Sequence, residues 1–446
     1  MTFKNLNINA SLLNALDDMG FSEATVIQEK AFAPVLAGKD VLGIAQTGTG
    51  KTFAYLIPLI QQWKFSKKKT TEILVLVPTR ELVVQVVDEF EKIAKYTSLK
   101  AAGAYGGTNI KTQILAISQG VDVVVATPGR LLDLMLHGTI TASHIKKLVI
   151  DEVDEMLNLG FRTQLTTLLD LLPVRRQTLM FSATINSDID LLIENSSNIP
   201  VRIEVEISGT PLTNIEQVAY DVQNLNTKIN FLEHLLSTDE SMTKVLVFAG
   251  SKRMADNLNA KLEYAFPEQL AVIHSNKTQN KRLKTVEEFE RGACRILIAS
   301  DLIARGLDVT EITHVINMDV PEVPENYMHR IGRTGRAEKK GKAITMIAPS
   351  EKEDQEKIEA LMGMKIPMAE MPEEVEISNV LTPEEELTPG MKFIEVRRKK
   401  DPEKGDSFHE KKEKNKKVPI KVTHIDKKKL KYGKSYGTTH NRKKKS

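Results

Sequence analysis

The sequence predicts an α/β protein built from two tandem parallel-sheet domains, with a disordered basic tail behind them. Three observations carry this. Short apolar runs alternate with longer amphipathic stretches, the alternation then starts afresh, and the last part of the chain abandons it for lysine. The first set of buried strands is Val41–Ala45, Ile73–Val77, Val121–Ala126, Leu148–Asp151 and Thr178–Phe181. The second is Lys244–Ala249, Ala271–Ile273, Arg295–Ser300, His314–Met318 and Lys342–Ile347. The turn-rich SGTPLT at 208–213 separates the sets, and DVVVATPGR at 122–130 is echoed by RILIASDLIARG at 295–306. The division expected is a first domain over 1–207, a linker over 208–214 and a second domain over 215–365. Prolines 367, 372, 383 and 389 then break the pattern, marking 366–390 as an acidic hinge before a tail over 391–446.

Charge supports the same division. The 446 residues carry 62 basic and 59 acidic side chains, a net of +3. That total conceals −4 over 1–365, −7 over 366–390 and +14 over 391–446. A lysine-rich arm with few large apolar residues predicts disorder and an affinity for nucleic acid or another anionic surface. Its Phe408, Tyr432 and Tyr436 could stack on bases.

Several classes are excluded. Met1 to Ala10 lacks the basic-then-apolar pattern of a secretory signal, and no apolar run approaches the roughly 18 residues of a membrane span. The single cysteine, Cys294, permits neither an internal disulfide framework nor a cysteine-built zinc site. A soluble cytoplasmic protein is the expectation.

The chemistry begins at Ala45-Gln46-Thr47-Gly48-Thr49-Gly50-Lys51-Thr52, between a strand and a helical stretch. Glycines turn backbone N–H groups toward phosphate oxygens and the helix N-terminus adds its dipole. Lys51 would reach the β- and γ-phosphates of a nucleotide, and Thr52 would place its hydroxyl on Mg²⁺. Roughly 100 residues on, Asp151-Glu152-Val153-Asp154 closes the strand KKLVI. Taken alone it is a solvated helix N-terminus; beside a phosphate loop, Asp151 would orient the metal and Glu152 would accept a proton from water. The second half has no such loop but ends in YMHRIGRTGR at 327–336. ATP is therefore expected between the domains, with Arg333 and Arg336 stabilising charge on the γ-phosphoryl group. Hydrolysis would then require the domains to close.

Together these residues resemble the DEAD-box family of ATP-dependent RNA helicases, within helicase superfamily 2, over about 1–365. GFSEATVIQ at 20–28 resembles the adenine-reading Q motif, with Phe3 as its upstream aromatic, and AQTGTGKT resembles motif I. PTREL at 78–82, TPGR at 127–130, DEVD and SAT at 182–184 resemble motifs Ia, Ib, II and III. VLVFAGS at 245–251, the spacing of His274, Gln279 and Arg282, SDLIARGLD at 300–308 and HRIGRTGR at 329–336 complete the set. The resemblance implies two RecA-like domains. It also implies that Gln28 bonds the adenine edge, that Phe21 stacks on the ring and that Asp308 lies near the ribose. Asp154, Ser182, Thr184 and His329 would link hydrolysis to closure. RNA would lie on Pro78, Thr79, Arg80, Gly107, Thr127, Gly129 and Arg130 of the first domain and Gly250, Gln279, Arg282 and Ser300 of the second. Such small, hydroxyl and arginine side chains suit sugar–phosphate contacts, which position a strand without reading its sequence.

Departures from the family pattern remove no required group. Val153 adds methyl bulk to the DEAD sequence, Ser275 and Ser300 replace the usual glycine and threonine, and Ala24 and Val26 replace prolines, which loosens the Q-motif loop. The resemblance implies an RNA-dependent ATPase that separates short duplexes or remodels ribonucleoprotein, ribosomal or other. An ATP-gated RNA clamp would need the same residues. A translocating DNA helicase is disfavoured by Gln28 and the HRIGRTGR sequence.

Overall fold

The computed structural model describes residues 2–46, 48–64, 70–184, 187–194, 199–205, 214–301, 309, 311–335, 340–382 and 385. They form two seven-stranded, all-parallel sheets. In the first lobe the strands are β1 (Val41–Ile44), β2 (Ile73–Leu76), β3 (Ala101–Ala104), β4 (Val123–Ala126), β5 (Lys147–Ile150), β6 (Gln177–Ser182) and β7 (Val201–Glu204), in the order β3-β4-β2-β5-β6-β1-β7. The second lobe has β8 (Ile215–Asp221), β9 (Val245–Ala249), β10 (Leu270–Ile273), β11 (Ile296–Ser300), β12 (His314–Asn317), β13 (Gly341–Ile347) and β14 (Met368–Ala369), in the order β10-β11-β9-β12-β13-β8-β14.

The apolar runs are continuous because helices cover both faces of each sheet. Along β2, Ile73 and Val75 enter one core while Leu74 and Leu76 enter the other. Val123 and Val125 of β4 are divided from Val124 and Ala126 in the same way. In the second lobe Val245 and Val247 oppose Leu246 and Phe248. Both predicted strand sets are present.

The strand order positions the motifs. AQTGTGKT follows β1, DEVD follows β5 and SAT ends β6, three neighbouring strands. PTREL follows β2 and TPGR follows β4, on the other side of the same carboxyl edge. In the second lobe Gly250 follows β9, Ser300 ends β11 and the His274–Arg282 segment follows β10, again three neighbours.

The expected hinge differs. Residues 366–382 run as a strap along the second lobe: β14 pairs with β8, and Ile366 and Val375 are buried in its cores. Asn224 Nδ2 donates to Ser378 O at 2.6 Å, Ser378 N donates to Thr227 Oγ1 at 3.0 Å and Asn230 Nδ2 donates to Glu376 O at 2.8 Å. Pro367 and Pro372 ended the helical pattern without ending the fold, since an extended segment whose polar groups meet side chains of a neighbouring helix tolerates them; 383–384 and 386–390 of the expected hinge lie outside the described residues. All of the linker except Asn214, and the tail over 391–446, lie outside the described residues.

Candidate ATP and RNA cleft

Gly50 precedes the helix Lys51–Gln62 with φ +85°, and Gly48 has φ +81°, conformations that favour glycine. A Cβ on Gly50 would collide with the Gln28 amide. That amide is fixed at both ends: Nε2 donates to Gly50 O at 3.1 Å, and Oε1 accepts from Thr25 N at 3.0 Å in a capping box that starts the helix Val26–Leu36. Val26 takes the first helical position, where proline is otherwise favoured. The capping box thus closes the loop that the missing prolines were expected to loosen. Phe21 is 43% exposed and meets Phe53 edge-on at 5.4 Å, leaving it available to a base.

Lys51 is buried, yet its Nζ has no hydrogen-bond partner. It lines a cleft with Glu152, Asp154, Glu155 and Ala183 of the first lobe and His329 and Arg333 of the second. An unpaired buried ammonium is costly, so an anion between the lobes fits this position. Asp151 accepts from Tyr55 Oη at 3.0 Å and from Glu152 N at 2.9 Å. Burial raises its pKa against the pull of Lys51. Glu152 has φ +52°, a strained backbone for glutamate. Burial, with Asp151 and Glu155 nearby, pushes its carboxyl up to about 7 despite Lys51 and Arg333. Val153 is fully buried in the core, so its extra methyls are accommodated away from the acids.

Burial also opposes ionisation of Asp154, but His329, Lys51 and the Thr184 and Ser182 hydroxyls outweigh it and hold the carboxyl below its ordinary value. Its Oδ2 accepts from Ala183 N, Thr184 N and Thr184 Oγ1 at 3.0–3.1 Å, while Ser182 Oγ donates to Thr184 O at 2.7 Å. DEVD and SAT are thereby one hydrogen-bonded unit facing the second lobe. Arg333 Nε donates to His329 O at 3.3 Å, which carries the guanidinium to Glu152. Ala45 N donates to Ser182 O at 3.0 Å, Thr49 Oγ1 donates to Gln46 O at 2.7 Å, and Thr52 opens the helix after Lys51. Thr47, Asp308 and Arg336 lie outside the described residues, as does the side chain of Gln279.

Arg80, Arg130 and Gly107 of the first lobe and Arg282 of the second come together among the proposed RNA residues. Burial, then Arg282, then Arg130 depress the Arg80 pKa against Glu81. Gly107, at φ +80°, leaves the space that Arg80 fills. Arg282 of the second lobe makes a buried ion pair with Glu81 of the first. Arg130 donates to Gln113 Oε1 and to Thr108 O and is mostly spent on this scaffold. Thr79 caps the helix Arg80–Ile93, Pro78 is buried, and Thr127 after β4 of the first lobe and Ser300 at the end of β11 of the second are buried as well. Nothing crowds Gly129, and a Cβ on Gly250 would strike Asp319.

Sequence reasoning missed Glu81, although it stands inside PTREL, and Arg330, although it follows His329. Arg330 is 2% exposed; it bonds both carboxylate oxygens of Asp301 at 2.5 and 2.6 Å, and Asp319 Oδ2 at 2.9 Å. It ties the segments that follow β11 and β12 to the helix Pro324–Ile331.

The DEAD/DEAH box helicase family matches residues 25–192, and the helicase conserved C-terminal domain matches 227–338. The DEAD-box ATP-dependent RNA helicase CshA of Bacillus subtilis is 41% identical over 355 residues, covering 79% of this chain and 70% of that protein. The chain belongs to the DEAD-box family. Among solved DEAD-box structures, S. cerevisiae Dbp5 bound to RNA and ADP BeF3 matches with a TM-score of 0.76 at 26% identity, over 83% of this chain and 96% of that one. Mss116 bound to ssRNA and UDP-BeF matches with a TM-score of 0.77 at 27% identity, over 84% and 81%. Such scores over both lobes require the two sheets of this DEAD-box chain to superpose together, in the arrangement that buries Arg282 against Glu81. Among the described residues no helix is long and apolar enough to cross a membrane.

Proposed function

We infer that this chain is an ATP-dependent RNA helicase in which RNA binding and ATP hydrolysis are coupled through closure of the two lobes. The observation that carries the reading is the unpaired, buried Lys51 ammonium in a cleft shared with Glu152 and with Arg333 of the opposite lobe. Lys51 binds the terminal phosphates, Gln28 and Phe21 hold adenine, and Glu152 takes a proton from the attacking water. Arg333, with Arg336, stabilises the transferring phosphoryl group. Asp154, Ser182, Thr184 and His329 report lobe closure to the acids. Asp308 serves the ribose.

Thr52 and Asp151 are the residues that would hold Mg²⁺. A hydroxyl and one carboxylate suit an ion that keeps waters and takes its remaining ligands from phosphates. Among the described residues no larger cluster of His, Cys, Asp and Glu competes for it. Bound there, Mg²⁺ would neutralise charge on the phosphates.

The first lobe spans 1–207 and the linker 208–214; the second lobe begins at 215 and includes the strap. The Arg80–Arg282 surface takes single-stranded and short duplex RNA through its backbone, and the 391–446 arm adds salt-dependent affinity. Ribonucleoprotein in the cytoplasm is the proposed setting. The test is displacement of a strand from a short RNA duplex by wild type and Glu152→Gln. ATP-dependent displacement by wild type alone supports the helicase; RNA-stimulated hydrolysis without displacement would make the protein an ATP-gated clamp.

A further inference from the structure

The four segments that meet at the cleft are also joined at their far ends. Val35, in the last turn of the helix that starts beside Gln28, presents its carbonyl to two side chains. Gln62 Nε2 donates to it at 2.6 Å, and Gln177 Nε2 donates to it at 2.9 Å and to Lys39 O at 2.8 Å. Lys147 Nζ in turn donates to Gln62 Oε1. Gln62 ends the helix that Lys51 begins, Lys147 begins the strand that leads to Asp151 and Glu152, and Gln177 begins the strand that ends at Ser182. Lys147 and Gln177 are register partners in the sheet.

Each of these side chains therefore sits at one end of an element whose other end holds a different part of the ATP site. A helix of this length separates the two ends by roughly 18 Å. Hydrogen bonds tolerate only a few tenths of an ångström of stretch, so sliding any one element along its axis breaks a contact at this node. Val35 O is one of the terminal carbonyls without an i+4 partner; it accepts from Gly38 N at 3.0 Å in the closing turn, and its remaining side faces the two amides. Gln177 is buried, and burial lowers the Lys147 pKa to about 8 against Glu72, with Lys146 adding to the fall. These groups are held in the structure at a desolvation cost. The node borders a cavity lined by Trp63, Lys64, Glu72 and Lys146, on the face away from the cleft.

We propose that Gln62, Lys147 and Gln177 are positioning residues of the ATP site, forming a clamp that fixes the axial offsets of the Gln28 helix, the Lys51 helix, β5 and β6. The proposal rests on the ATP reading above and touches none of the residues assigned to it. Three of the four clamped elements carry groups that meet the nucleotide in the ground state, so loosening them weakens nucleotide binding rather than RNA binding.

The experiment uses the full chain and measures, without RNA, the Kd of a fluorescent ATP analogue, then KM for ATP, kcat, RNA half-saturation and Tm. Gln62→Leu and Lys147→Met should raise Kd and KM for the nucleotide by about threefold to tenfold, the usual range for coupling through a packed network, with RNA half-saturation at saturating nucleotide unchanged. Lys147→Arg should restore values near wild type. Gln62→Glu keeps the acceptor for Lys147 but loses the donor to Val35, and should share the defect should Gln62→Leu fold poorly. Ile117→Val, buried on the helix Ile110–Ser118 away from the clamp, controls for a loss of Tm alone. Unchanged nucleotide Kd in the clamp variants, or an equal shift in Ile117→Val, would overturn the proposal. A wild-type chain that binds no ATP analogue would instead overturn the ATP reading itself.

Discussion

Glu152 combines a left-handed backbone with a carboxyl that titrates at about 7, the two marks of a residue held for chemistry at a cost to the fold. As a general base it works only when ionised, so kcat/KM for ATP should fall about tenfold per pH unit below 7 and level off above it. A profile flat from pH 6 to 8 would remove Glu152 from that role. Stability should run the other way. A folded value above the reference of 4.5 means that the group's stabilising contribution is complete below about 4.5 and is lost as the pH rises through about 7. Glu152→Gln should therefore raise Tm at pH 8 and leave it nearly unchanged at pH 4.5, measured by thermal unfolding. At this scale the sequence was informative where spacing limits the choices: Gly50-Lys51-Thr52 and Asp151-Glu152 could be read because strand, loop and helix surround them. It could not say which arginine of HRIGRTGR anchors the fold and which faces the cleft, since Arg330 and Arg333 are both buried. Arg330 and Arg333 are the same residue type three positions apart, and only the positions of Asp301, Asp319 and Glu152 divide their roles.

Elements follow the same logic. The central strands were legible because burial on both faces demands unbroken apolar runs. Those that escaped lie at the sheet margins: β3 is AAGA, β7 is VRIE with one buried side chain, β8 alternates, and β14 has two residues. Edge and near-edge strands can be short, small or half polar, so their sequences resemble loops. The helix Pro324–Ile331 shows how one element serves both packing and chemistry, because Arg330 anchors it while His329, and Arg333 just past its end, reach the cleft. Arg330→Met should cost about 3 kcal/mol by urea denaturation, since it strands two carboxylates of which neither is fully solvated. The strap makes a further distinction. Truncation after Met364 exposes the sites of Ile366 and Val375 and should destabilise the second lobe by about 1.5–3 kcal/mol for each buried side chain lost. Truncation after Gly390 should leave stability and basal ATPase near wild type while weakening RNA binding and its salt dependence. Equal loss of stability from both would place the tail within the fold.

At the scale of the whole molecule, two cleft-spanning contacts define the closed arrangement: the buried Glu81–Arg282 pair on the side assigned to RNA, and the approach of His329 and Arg333 to the Asp154–Glu152 face on the ATP side. The sequence reading expected the second, with Arg333 and His329 facing the acids across the cleft, but the Glu81–Arg282 pair was not legible as a contact. The net charge is divided too, with a near-neutral body over 1–365 and a +14 arm over 391–446. Because each lobe supplies part of both surfaces, occupancy of one favours closure around the other. The most direct test is the steady-state ATPase rate of the full chain with single-stranded RNA, with DNA of the same sequence and with neither. Coupling through closure predicts strong stimulation by RNA, little by DNA and a low basal rate. Hydrolysis that is equally fast with no nucleic acid, or equally stimulated by DNA, would contradict it.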